Sequence, residues 1–344
     1  MIICSTHEYA RLSNAEKTVF RDSSVSVSLW GWALFGILVL AALSLDLGLL
    51  PGKRGGQHQL TLRAAAIRTG AWVALAFLFG LAVLAMCGER AALTYVTAYL
   101  LEQSLSIDNV FVFVLIFSEL KIPADRQRSV LLWGVLGALV MRALLIGAGL
   151  VLLNRFHWVV YPFAALIIFA AIRLLWGKQK EQDLVVAACS ICNSWVARFI
   201  PITPVYHGGR FVVRQADRGG RFVATPLLVA LIIVETTDIV FALDSVPAVL
   251  TITRDPFIVY TSNIFAMLGL RSLYFVLAGV VDRFRFLRVG LAAILIFFGT
   301  RLLLGDILDV PTGVSLGVIA VALALSVAAS VKWPGPSPRP ASPV

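Results

Sequence analysis

Apolar residues in this chain gather into long blocks instead of alternating with polar ones. Nine blocks reach the roughly 20 mostly apolar residues that a helix needs to cross a bilayer: 28–50, 70–88, 92–117, 129–153, 158–177, 225–250, 257–281, 286–304 and 311–332. The second is the tightest, bounded by Arg68 and Glu89. Between the fifth and sixth blocks, residues 178–224 are polar. There Arg210-Phe-Val-Val-Arg214 and Arg221-Phe-Val-Ala224 alternate around Asp217-Arg-Gly-Gly220, which predicts a small β-hairpin. Residues 1–27 are mixed and polar, without the basic start and short apolar run of a cleaved signal. The Pro/Ser-rich stretch 333–344 is expected to be disordered. The pattern therefore predicts an all-α polytopic membrane protein: a tail over 1–27, a transmembrane domain over 28–332 with about nine helices, and a small hairpin loop.

Composition agrees. The 344 residues are 59% hydrophobic and 14% charged, against about half and a quarter in soluble domains, and the mean hydropathy is +0.90. The formal charge of +10 reads as a topology signal, because Lys and Arg concentrate on the cytoplasmic side of membrane proteins. Outside the nine blocks or at their very ends, one side carries six (Arg11, Lys17, Arg21, Arg90, Arg155, Arg254) and the other nineteen, seven of them within 178–224 and two, Arg288 and Lys332, at block ends. The N-terminal tail is thus expected outside, with the loop and C-terminus in the cytoplasm, as in a bacterial-type inner membrane. Nucleic-acid binding loses its weight, and the absence of a Walker-type phosphate loop argues against ATP-driven pumping. The four cysteines suggest no disulfide framework. Cys189-Ser-Ile-Cys192 has metal or redox spacing, but a single pair without a second nearby reads as incidental.

The chain also repeats itself. Placing Asp108-Asn109 on Asp244-Ser245 puts Glu102 on Asp238 and Arg142 on Arg271, then Arg155 on Arg283 with one gap, and Arg173 on Arg301. Two three-span units, 92–177 and 225–304, are thereby related (spans 3–5 and 6–8). Three is odd, so the units run in opposite senses, the inverted-repeat plan of many secondary transporters.

Six acids fall within the blocks: Asp46, Glu102, Asp108, Glu235, Asp238 and Asp244. Each costs about 3 kcal/mol on insertion scales, so the set could cost roughly 15 kcal/mol unpaired. Only Arg142 and Arg271 lie centrally; Arg173 and Arg301 sit near block ends and are expected to snorkel. The surplus of negative charge calls for cations, protons or both. Glu102 shares a helical face with Ser106 and Asn109, and Glu235 and Asp238 share one with Ser245. Pro247 invites a broken helix with free carbonyls. Asp46 could equally pair at the interface with Lys53 or Arg54. With Asn109 and Asn263, the candidate donors are all oxygens, which suits Mn2+, Mg2+ or Ca2+ and argues against copper. Buried salt bridges that merely hold helices together account for one acid and one arginine, but run short of partners for six acids.

These motifs resemble the TerC family of integral membrane proteins, the tellurium-resistance protein C group. The resemblance rests on Ser44-Leu-Asp-Leu-Gly48, SLSIDNVFVFVLIF at 104–117, PITPVYHGGRF at 201–211, and the run from Ala224 through ETTD, DSVP, TSN and GLRS to Phe275. It covers roughly residues 30 to 305, and implies a polytopic transporter whose relatives are linked to manganese efflux, metal supply to exported enzymes and tellurium resistance. By that resemblance the metal-site residues are Glu102, Asp108, Asn109, Glu235, Asp238, Asp244, Asn263 and Asp46, with Arg142 and Arg271 as counter-charges. The extended N-terminal tail and the Cys189–Cys192 pair depart from the family pattern. The expected function is export of a divalent cation, Mn2+ first, coupled to protons, with no permanently bound cofactor and no enzymatic activity. A membrane assembly or metalation scaffold is the alternative. An intramembrane protease is excluded by the lack of GxGD, HExxH and serine-elbow motifs.

Overall fold

A computed structural model describes residues 4–5, 26–27, 29–47, 62–175, 178–203, 206, 208–215, 221–277, 286–304 and 310–333. The protein is mostly helical. Eleven α-helices are described: α1 (Leu29–Leu47), α2 (Leu62–Cys87), α3 (Glu89–Glu119), α4 (Ala124–Arg155), α5 (Val160–Leu175), α6 (Lys178–Phe199), α7 (Pro226–Leu250), α8 (Pro256–Leu268), α9 (Leu270–Leu277), α10 (Leu287–Leu303) and α11 (Thr312–Lys332). Among the described residues, five helices are long and apolar enough to cross a membrane: α2, α3, α4, α7 and α11. Shorter apolar stretches lie in α1, α5 and α8. The C-terminal stretch 334–344 lies outside the described residues.

Proline marks several helix starts, because it lacks the N–H that a first turn leaves unpaired and its φ is already helical. Pro123 precedes α4, Pro226 and Pro256 open α7 and α8, and Pro311 precedes α11. Asp255 caps α8, its Oδ1 accepting from the Ile258 N–H at 3.1 Å. The break expected at Pro247 does not occur: α7 runs through it to Leu250. A proline so close to a C-terminus disturbs only the last turn. The interruption falls instead at Gly269, between α8 and α9.

The polar interval holds the expected hairpin, β3 (Val212–Gln215) paired antiparallel with β4 (Arg221–Ala224), Val213 opposite Val223. It is tied down by Thr203 N–H to Ala224 O and Ala224 N–H to Pro201 O, both 2.9 Å. The interval also contains α6, which a search for continuous apolar blocks does not find. At the other end, β1 (Cys4–Ser5) and β2 (Ser26–Val27) form a minimal antiparallel pair.

Packing follows a reciprocal scheme. α3 lies on α8, α7 on α4, and α5 on α10, while α3 and α7 also touch each other. Glycines set the closest approaches. A Cβ on Gly134 would stand 3.0 Å from Val234, one on Gly149 3.0 Å from Leu250, and one on Gly137 would collide with the Glu235 carboxyl. The order of these contacts shows that α4 and α7 run in the same direction. Gly299 on α10 plays the same part against α5, where a Cβ would lie 2.7 Å from Ile168. An aromatic cluster of Phe35, Phe79, Tyr95, Phe257 and Phe265 joins α1, α2, α3 and α8.

Overpacking a tight helix contact costs about 1–3 kcal/mol. Gly299→Leu is therefore expected to lower the thermal midpoint of the detergent-solubilised protein. Gly317→Leu on α11, where a Cβ would meet nothing within 4 Å, should leave it unchanged.

Candidate functional site

The charged residues of the bundle converge on Arg142. Its guanidinium, 2% exposed, projects from α4 between α3 and α7. Nη1 donates to Glu102 Oε2 at 2.7 Å, while Nε and Nη2 donate to Asp238 Oδ2 and Oδ1 at 3.3 and 3.4 Å. The planar fork of arginine suits this two-point grip on a carboxylate. Asn109 completes the set. Its Oδ1 accepts from Nη2 at 3.1 Å when its Nδ2 donates to the Leu105 carbonyl at 3.2 Å, the amide orientation that satisfies both ends. Helical spacing explains why α3 supplies two partners: Glu102 and Asn109 are seven residues apart, two turns along one face. Glu102 of α3 and Asp238 of α7 thus hold the same arginine.

The other candidates surround this triad. Asn263 on α8 lies beside the Glu102 carboxylate. Glu235, on the preceding turn of α7, faces Asp238 and lies over the bare backbone of Gly137. Asp244 is nearly two turns further on, and its Oδ2 accepts from Arg173 Nη2 at 3.3 Å. That contact corrects the expectation for Arg173: it turns inward from α5, crosses the Phe241 ring at 5.5 Å and does not snorkel away. The missed signal was the charge balance, since a negative surplus recruits any cation within reach. Arg271 is buried at the start of α9. Asp46 and Asp108 lie on α1 and α3, but their side chains fall outside the described residues.

Two buried polar atoms on these helices, Ser106 Oγ and Ser245 Oγ, have no hydrogen-bond partner among the described residues. Such atoms cost about 1–3 kcal/mol each unless something polar meets them. Among the described residues, no three His, Cys, Asp or Glu side chains are gathered as a metal cage. Glu102 and Asp238 are instead ion-paired with Arg142 and Asp244 with Arg173, while Glu235 lies beside Asp238. Chemically, this is an oxygen-rich interior whose carboxylates are held by arginine.

At the far end of α3, Arg126 stacks on the Tyr206 ring at 4.8 Å, and Tyr206 Oη donates to the Leu120 carbonyl at 3.1 Å. On α6, beside Glu119, the Cys189 and Cys192 thiols are free. Burial, with help from Glu119 and Cys192, pushes the Cys189 thiol up to about 11, and burial raises Cys192 as well. Cys87, at the end of α2, is by contrast disulfide-bonded.

Removing one member of a buried ion cluster strands the others, at a cost of about 3–5 kcal/mol. Arg142→Met is expected to destabilise by that order in thermal unfolding. Adding Glu102→Gln and Asp238→Asn to it should recover much of the loss. The raised thiols have few thiolates at neutral pH, and the thiolate is the nucleophile. Iodoacetamide labelling of Cys189 should therefore be slow at pH 7 and accelerate as pH climbs toward 11, read by mass spectrometry.

Comparison with known proteins follows the same residues. The model of the integral membrane protein TerC family matches residues 87–334. An uncharacterized membrane protein of Myxococcus xanthus, STKORF319, is 46% identical over 300 residues, covering 87% of this chain and 91% of its own. Alx of Escherichia coli K12, whose name proposes a membrane-bound redox modulator, is 41% identical over 84% of this chain and 90% of its own. A membrane protein of Rickettsia bellii is 35% identical over 87% and 96%. No solved structure matches. With the motif-bearing helices inside the matched region and identities of this size over nearly full lengths, the chain belongs to the TerC family of integral membrane proteins.

Proposed function

We propose that this chain is a secondary transporter that exports a divalent metal cation, Mn2+ before Mg2+ or Ca2+, through the carboxylate-lined site among α3, α4, α7 and α8. The observation that carries the reading is the grip of Glu102 and Asp238, one acid from each repeat, on the single guanidinium of Arg142. A structural salt bridge needs one acid; here two converge, a third sits alongside, and unpartnered oxygens remain on the same helices. In this reading Arg142 is a tethered counter-cation that holds the carboxylates apart when no metal is present. A divalent ion arriving among Glu102, Asp108, Asn109, Asp238 and Asp244 would displace it. Carboxylates take up protons or metal in competition, which makes proton antiport the natural driving step.

The architecture assigned to this function is nine spans, with α8 and α9 forming one, and two inverted units, α3–α5 and α7–α10. The reciprocal packing of α3 on α8, α7 on α4 and α5 on α10 supports it, because a pseudo-twofold pairs equivalent elements this way. The outward N-terminus is supported by the basic-residue count and by cysteine chemistry. Disulfides persist in oxidising compartments, and the disulfide-bonded Cys87 lies on the assigned outer side, while the free thiols of α6 lie on the inner.

Proteoliposomes loaded with a Mn2+-sensitive dye test the reading. Wild-type protein should move Mn2+ and respond to an imposed pH gradient, whereas Glu102→Gln and Asp244→Asn should fall to the rate of empty liposomes. Equal Mn2+ movement by wild type and both variants would remove the transporter and favour the scaffold; indifference to the gradient would remove the proton coupling alone.

A further inference from the structure

We propose that α6 is an interfacial membrane helix, its Ile191 and Trp195 side chains seated in the headgroup–acyl boundary of the leaflet at the Glu119 end of α3. At 100° per residue its described side chains divide into three arcs. Cys189 and Val196 are buried against the bundle, in the apolar cluster that contains Phe117 and Ile116. Ser190, Asn193 and Ser194 share a second, exposed arc with Val186 and Ala197. Ile191 and Trp195 lie beyond the buried arc, 66% and 63% exposed, with Arg198 flanking them near the helix end.

That exposure equals the exposure of residues on the outer face of the apolar helices, such as Ile37 at 65% and Val151 at 67%, so the stripe continues a surface that lipid covers. Its level fits: Cys189 lies beside Glu119, the last residue of the long α3, where a bilayer gives way to headgroups. The direction of the chain fits too. α4 and α7 run the same way, so the single return crossing between them falls to apolar α5 and leaves α6 at the membrane edge. Charge selects the occupant. Residues 178–224 hold seven Lys or Arg against three Asp or Glu, which favours an anionic leaflet over an acidic or neutral protein groove. A helix with Trp on its apolar side and modest overall hydrophobicity, set in a basic segment, is the composition that enters a headgroup layer by about 5–10 Å.

The test is spin-label accessibility in phosphatidylcholine–phosphatidylglycerol vesicles, on full-length protein carrying Cys189→Ala and Cys192→Ser. Labels are placed through Ile191→Cys and Trp195→Cys, and through Ser190→Cys and Asn193→Cys on the second arc. The ratio of oxygen to nickel-chelate accessibility should exceed one at 191 and 195 and fall below one at 190 and 193. A ratio below one at all four positions would place the stripe in water, as a protein-docking face would be, and overturn the proposal. Dipolar broadening between labels at 191 would put a second copy of the chain there and overturn it equally. Neither result touches the cation site, so this proposal and the transport reading fail separately.

Discussion

A guanidinium held between two carboxylates, away from water, is the interaction on which the centre of this protein depends. Each of the three ions loses several kcal/mol of hydration on burial, and their mutual attraction offsets that only with good geometry. The geometry demands much of the fold. Glu102 must come from α3, Arg142 from α4 and Asp238 from α7, at one depth. Asn109 then takes a remaining N–H of the fork. α4 can meet α7 closely enough because it offers glycine at 134, 137 and 149 where the two helices cross. The charge cluster and the helix seam are one construction.

That construction leaves a residue of unmet chemistry. Among the described residues, Glu235 has its neighbouring acid Asp238 and no ion-pair partner, Asp244 borrows Arg173 from α5, and hydroxyls at Ser106 and Ser245 face no partner. A core selected for rigidity alone would remove such groups, since apolar substitutes of similar volume are often as stable. Retaining them is what an interior that exchanges charge requires, and it explains why the functional reading rests on the whole cluster and not on any single acid.

Much of this was legible in the sequence, for definite reasons. Long apolar blocks announce membrane helices because lipid supplies no hydrogen bonds, so the α2, α3, α4 and α7 segments declared themselves. The hairpin was visible from the alternation on either side of Asp217-Arg-Gly-Gly220. Glu102 and Asn109 share a face by helical arithmetic, and the structure places both on Arg142. Other features depended on tertiary contact. Arg173 lies near a helix end, where snorkelling costs little, and only the position of Asp244 on the neighbouring helix turns it inward. α6 escaped because its apolar run, Leu184–Cys189, is far shorter than a membrane span and lies between polar residues. Pro247 looked like a break because its place in the last turn of α7 depends on where that helix stops.

The glycines of α4 have one more consequence. Most helix pairs interlock by side-chain ridges, and to move one past the other a set of rotamers must be unseated together. Where α4 turns Gly134, Gly137 and Gly149 toward α7, Val234, Glu235 and Leu250 of α7 seat directly on its backbone. The seam resists separation through close van der Waals contact, and sliding along the shared axis would have to lift Glu235 off Gly137 and part Arg142 from Asp238. A seam keyed in this way fixes the height at which Arg142 meets its acids.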